Sequence, residues 1–83
     1  MSQYLIMCKS LTYAQRSQRL LERAGISSYI IKAPLYLRSG GCGYAISLHR
    51  DFDRAVYVLK EASLLRGRLY QRKGEADIWE AVL

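Results

Sequence analysis

An α+β fold with the element order β-α-β-β-α-β is what this sequence predicts, on three observations. Short apolar or β-branched runs at 4–8, 28–32 and 43–48 are separated by stretches of helical periodicity at 11–24 and 52–63. Gly25, Pro34, Gly43 and Gly67 punctuate the joins. No linker, repeat or low-complexity stretch divides the 83 residues, so residues 1–83 read as one domain.

Each element has a local reason. Tyr4-Leu5-Ile6-Met7-Cys8 is continuously apolar and reads as a central, buried strand. Ser10 or Thr12 can cap the helix that follows, and Thr12 with Gln15 fits a capping box. Tyr13, Ser17, Leu20, Leu21 and Ala24 then share one helical face, with Arg16, Arg19 and Arg23 outside it. Gly25 is the expected stop. Ser28-Tyr29-Ile30-Ile31-Lys32 is a β-branched, aromatic strand that Pro34 ends. Leu35 to Gly41 reads as loop and Gly43 to Leu48 as the third strand.

Asp51 or Asp53 is the expected cap of a second helix. Its stripe is Phe52, Ala55, Val56, Leu59, Ala62 and Ser63. Arg68 to Arg72 forms a fourth strand whose weak patterning suggests a sheet edge. The core is thus 1–73, with a tail at 74–83. In the tail, Ile78, Trp79, Val82 and Leu83 fit a helical face, while Ile78 and Val82 also fit alternation. The tail either covers the sheet or forms a homodimer contact.

This order is the ferredoxin-like, or split βαβ, pattern, with two helices on one face of an antiparallel sheet. Right-handed crossovers place the third strand between the first and second. The end of the first strand, the start of the third and the N-terminus of the first helix then meet at one edge. Cys8 and Cys42 become neighbours there, and the end of the second helix brings Arg66 and Arg68 toward them.

Bulk properties narrow the function. A chain this small buries only about 60% of its unfolded surface, which implies one layer of helix on sheet. No apolar run approaches the roughly 18 residues of a membrane span, and no secretory signal order is present. A cytoplasmic protein is expected. Two cysteines cannot build a disulfide scaffold, and one histidine with no CxxC supplies no metal-ligand set. No metal or cofactor is expected. The net charge of +6 is uneven: residues 1–50 hold seven basic residues and one acid, and 51–83 hold six of each. Solvated surface is the plain reading of that bias. An acidic protein partner or nucleic acid is the functional one.

Ser39-Gly40-Gly41-Cys42-Gly43 is the chemically distinctive stretch. Its glycines allow a sharp bend and close approach to the backbone, at Gly41 and Gly43 above all. Cations and helix N-termini lower a thiol's pKa from about 8.5 and raise the thiolate fraction. The predicted edge supplies Lys9, Arg38, Arg66, Arg68 and the N–H groups near Ser10. Cys42 is therefore the candidate reactive thiol, able to hold a persulfide or perselenide, with Lys9, Ser10, Arg38, Gly41 and Gly43 stabilising the anion. The plain alternative is a small residue at a strand start. Cys8 fits core filling, with a resolving thiol as its other reading.

His49 lies seven residues past Cys42, roughly 20 Å along an extended strand, beyond the reach of a Cys–His dyad. Gly40-Gly41-Cys42-Gly43 is no GxGxxG. An independent enzyme is not expected. The seven tyrosines suggest base stacking on a sheet face, but Tyr44-Ala45-Ile46-Ser47-Leu48 lacks the aromatic signature of an RNA-recognition strand.

Over residues 3–72 the chain resembles the selenium/sulfur carrier-like family of small bacterial and archaeal domains. The likeness rests on Tyr4-Leu5-Ile6, on Arg19-Leu20-Leu21-Glu22-Arg23-Ala24-Gly25-Ile26 and on Ser39-Gly40-Gly41-Cys42-Gly43-Tyr44-Ala45-Ile46. Gly40-Gly41 stands where serines are common, and the cysteine-glycine step is intact. The resemblance implies a carrier that takes sulfur or selenium onto Cys42 and passes it on. Carrier chemistry calls for a donor of the cysteine desulfurase or selenocysteine lyase type and an acceptor still to be identified. The alternative is a non-catalytic module that binds RNA or an acidic protein through its basic half or sheet face.

Overall fold

Tyr4-Leu5-Ile6-Met7 is apolar at every position because both faces of its strand are covered. The computed structural model describes residues 2–38, 43–65, 67–73 and 78–82. Among these, strands β1 (Ser2–Met7), β2 (Tyr29–Lys32), β3 (Tyr44–Leu48), β4 (Leu69–Lys73) and β5 (Glu80–Val82) form one sheet in the order β2-β3-β1-β4-β5. All neighbouring pairs are antiparallel. Helices α1 (Leu11–Arg23) and α2 (Phe52–Glu61) complete the ferredoxin-like α+β arrangement, and β3 lies between β1 and β2 as the crossover rule requires. No helix among the described residues is long and apolar enough to cross a membrane.

Alternation along the central strands divides the core in two. Ile6, Cys8, Ile46 and Leu48 pack against Ala14, Leu21, Ala55 and Leu59 of the helices. On the other face Leu5, Met7, Ala45 and Tyr70 pack against Ala33, Leu37 and Trp79. The expectation of one helix-on-sheet layer is corrected here. The segment after β2 folds back over the second face, and Trp79 meets it from the opposite edge of the sheet.

Helix α1 starts at Ser10, whose Oγ accepts the Tyr13 N–H at 3.3 Å. The Thr12–Gln15 box is not used, because both residues are already inside the helix and exposed. Gly25, at φ +78°, ends it as expected. The Ile26 and Gly25 amides donate to the Leu21 and Glu22 carbonyls in a Schellman pattern. The centre of the buried face is Ala14, Ser17 and Leu21. The Ser17 hydroxyl is buried with no hydrogen-bond partner. Ser17→Ala removes an unsatisfied group, so we expect it to raise stability by roughly 1 kcal/mol in urea unfolding.

Helix α2 begins at Phe52 behind its expected cap, Asp51, and ends earlier than expected. Asp51 occupies the cap position in the left-handed region at φ 58°, and its side chain makes no cap hydrogen bond. At the other end Ser63 takes φ 59°, and the Leu64 amide donates to the Leu59 carbonyl. This closes the helix before Ala62 and Ser63, which are exposed outside the stripe. The same closure turns Leu64 inward against the core.

Strand β4 is not an edge. It pairs with β1 on one side and with β5 on the other, so the tail residues 80–82 take the edge. Trp79 precedes them. It is buried, lies with its ring centroid 4.6 Å from the Arg72 guanidinium carbon, and donates its amide to Tyr36 Oη at 3.0 Å. Arg72 in turn donates to Gln3 Oε1.

Candidate functional site

Antiparallel pairing gathers five chain segments at one edge. Met7 pairs with Ala45 and the Cys8 amide donates to the Tyr44 carbonyl, so β1 ends where β3 begins. Lys32 pairs with Tyr44, which brings in the end of β2. The Met7 amide donates to the Arg68 carbonyl at 2.9 Å, which brings in the approach to β4. Ser10 opens α1 just beyond β1. Ser39, Gly40, Gly41, Cys42 and Arg66 lie outside the described residues.

The chain before residue 39 and after residue 42 is tied together. The Ala33 amide donates to the Gly43 carbonyl at 2.7 Å. Arg38 Nε donates to the Ala33 carbonyl at 2.9 Å. The Arg38 side chain also lies directly on Gly43: a Cβ there would sit 3.0 Å from Nε and 3.1 Å from Cζ. Glycine at 43 therefore makes room for a guanidinium, and the group that approaches its backbone is Arg38. The result is a closed stem of Ala33, Arg38 and Gly43, with a cation packed on the residue that follows Cys42.

The other expected anion-stabilising residues stand nearby in different states. Lys9 is exposed, with Nζ 6.0 Å from the Tyr13 ring centroid. The Ser10 hydroxyl accepts from the Tyr13 amide, so its lone pair serves the helix cap. Arg68 is exposed beside Gly67. Cys8 is 6% exposed in the helix-side core, and its Sγ donates to the Ile6 carbonyl at 3.5 Å. Burial in that core shields the Cys8 thiol from solvent.

His49 is exposed past the far end of β3, beside Asp51, Phe52 and Tyr4. The length of β3 separates it from Gly43, so it takes no part at the edge.

Among the described residues, the sheet face away from the helices carries exposed Tyr29 on β2, opposite Ser47, and no aromatic on β1 or β3. Its positions on β1 and β3 are Gln3, Leu5, Met7, Ala45 and Ser47. Tyr70 and Trp79 are buried there. Tyr4 points to the helix side and stacks on Phe52 with ring centroids 4.2 Å apart.

Sequence reasoning missed one positioning contact. Tyr36 and Trp79 clasp the segment that precedes residue 39, across 43 residues of chain. No local pattern marks such a pair. We expect Tyr36→Phe to lower stability by about 1 kcal/mol, the usual contribution of one hydrogen bond. Trp79 is the only tryptophan, so its fluorescence during urea unfolding reads the change.

A family model described as "Putative Se/S carrier protein-like" matches residues 3–71. The match spans both helices and β1 to β3 and stops within β4, leaving Trp79 and β5 beyond it. No curated protein and no solved structure matches the chain.

Proposed function

The chain belongs to the Se/S carrier-like family, and from that premise we propose that Cys42 is the atom that carries the cargo. A donor enzyme presents sulfur as a cysteine persulfide. The Cys42 thiolate attacks the outer sulfur, one S–S bond forms as the donor's breaks, and the donor cysteine leaves as a thiolate. No net oxidation occurs. Transfer onward repeats the exchange with an acceptor nucleophile, and selenium follows the same course as a perselenide. The donor is of the cysteine desulfurase or selenocysteine lyase type.

The observation that carries this reading is the packing of Arg38 on Gly43, next in the chain to Cys42. A guanidinium keeps its charge at all physiological pH values. Near a thiol it favours the thiolate and then the equally anionic persulfide. Lys9 and the α1 N-terminus add positive potential at the same edge.

The test is the pH dependence of alkylation by iodoacetamide, with Cys42→Ser and Cys8→Ser as controls. A thiol whose pKa is depressed gains reactivity at lower pH. The expected midpoint for Cys42 lies clearly below the ordinary value of about 8.5. A midpoint at that value, or no reaction, would sink the proposal.

A further inference from the structure

We propose that Leu35, Tyr36 and Ile78 form the surface on which the carrier's protein partner docks. The partner presents an apolar patch with acidic groups beside it. This rests on the carrier reading above and adds the place and chemistry of the encounter.

The three side chains are large, apolar and exposed: 76% for Leu35, 62% for Tyr36 and 70% for Ile78. They are drawn together by the hydrogen bond from the Trp79 amide to Tyr36 Oη. Beneath them Leu37 and Trp79 are buried on the sheet, so the patch stands on a packed layer. Contiguous exposed apolar surface of this kind marks interaction sites in monomeric domains.

The Leu35–Tyr36 side of the patch lies close to Cys42 along the chain. Four peptide units separate Arg38 from Cys42, which bounds their separation at roughly 14 Å.

Charge selects the occupant. Lys32 and Arg38 flank the segment and are exposed, as is Lys73 beyond Arg72. Against them stands exposed Glu80, with Glu75 and Asp77 outside the described residues. The chain carries +6 overall, so a second copy would be repelled and an acidic partner attracted. Size points the same way. Three side chains supply far less than the roughly 1,200 Å² of a standard stable interface. A carrier must leave each partner after transfer. A small apolar contact with charge steering gives fast encounter and fast release.

The experiment compares two sulfur donors. Cys42 is loaded from inorganic polysulfide, which needs no docking surface, and from a purified cysteine desulfurase supplied with cysteine. The variants are Leu35→Ser/Ile78→Ser and, separately, Lys32→Glu. All three residues are exposed, so the fold is expected to persist, and melting curves check this. Tyr36 is left intact so that the clasp holds.

With polysulfide, loading in both variants should match the parent. With the desulfurase, half-maximal rate should need about fivefold more carrier, or a still higher concentration, at unchanged maximal rate. The Lys32→Glu effect should shrink as salt is raised. Parental kinetics with both donors would overturn the docking surface and leave the carrier reading intact. Failure of the parent to load from either donor would overturn the carrier reading and the docking proposal together. A parental dimer in sedimentation that the apolar variant dissociates would make the occupant a second copy, and so overturn the acidic partner.

Discussion

Cys42→Ser is expected to reduce sulfur or selenium loading to background, while Cys8→Ser keeps it. A serine hydroxyl ionises far too weakly to attack a persulfide at neutral pH, and it forms no S–S bond. The two cysteines differ in environment, which makes the pair of variants informative. Cys8 is enclosed by the helix-side core. Cys42 directly precedes Gly43, on which Arg38 packs. Mass spectrometry of the protein after incubation with a persulfide donor, with and without reductant, reads the outcome: a reductant-labile gain of one sulfur on the parent and on Cys8→Ser, and none on Cys42→Ser. Loading that survives Cys42→Ser and disappears in Cys8→Ser would transfer the role to Cys8.

Gly67→Ala is expected to be the most destabilising single methyl group that can be added to this chain at a described glycine. A Cβ at 67 would lie 2.1 Å from the Met7 carbonyl oxygen, 2.6 Å from its carbon and 2.9 Å from its Cβ. Two of these are backbone atoms of a central strand and have little freedom to move. Met7 also donates its amide to the Arg68 carbonyl, so β1 and the approach to β4 are tied at this point. Relief of the clash requires that tie to lengthen. Overpacking in such a setting costs about 3 kcal/mol. For a domain of this size that lowers the melting midpoint on the order of 15 °C. By contrast, Gly25 has nothing within 4 Å of its added Cβ, and its constraint is φ +78° instead. Gly25→Ala therefore serves as the control with strain but no clash. A loss below about 1 kcal/mol in Gly67→Ala would show that the β1–β4 junction yields.

Both predictions concern the edge where the strands converge, and much of that edge is legible in the sequence. The continuous apolar run at 4–8, the interrupted helical face ending at Gly25 and the proline after Lys32 each have a local cause. From the order of elements alone, chain connectivity and crossover handedness bring the end of β1, the start of β3 and the start of α1 together. That is why Lys9, Ser10 and Arg38 could be named from spacing and topology. Where the structure departs from the local pattern, the departure has a physical reason. Helix α2 continues its apolar stripe on paper through Ala62 and Ser63. In the structure the chain turns at Ser63 in a left-handed conformation, a role glycine usually advertises. The strand at 69–73 lacks strong patterning because it is half-buried, yet a further strand flanks it. The tail offered two periodicities and too few residues to separate them.

Legible in the sequence are the class of fold, the place of β3 between β1 and β2, and the family. These follow from local periodicity, turn chemistry and a short motif, all of which act over a few residues. Coverage of the second sheet face, the clasp of Trp79 and Tyr36 across the chain and the packing of Arg38 beside Gly43 come from the folded chain. Those contacts join residues that leave no mark on each other's neighbours in sequence. They exist because a small sheet with apolar residues on both faces must bury both. The nearest chain able to do so is the segment after Lys32 and the tail that ends in β5.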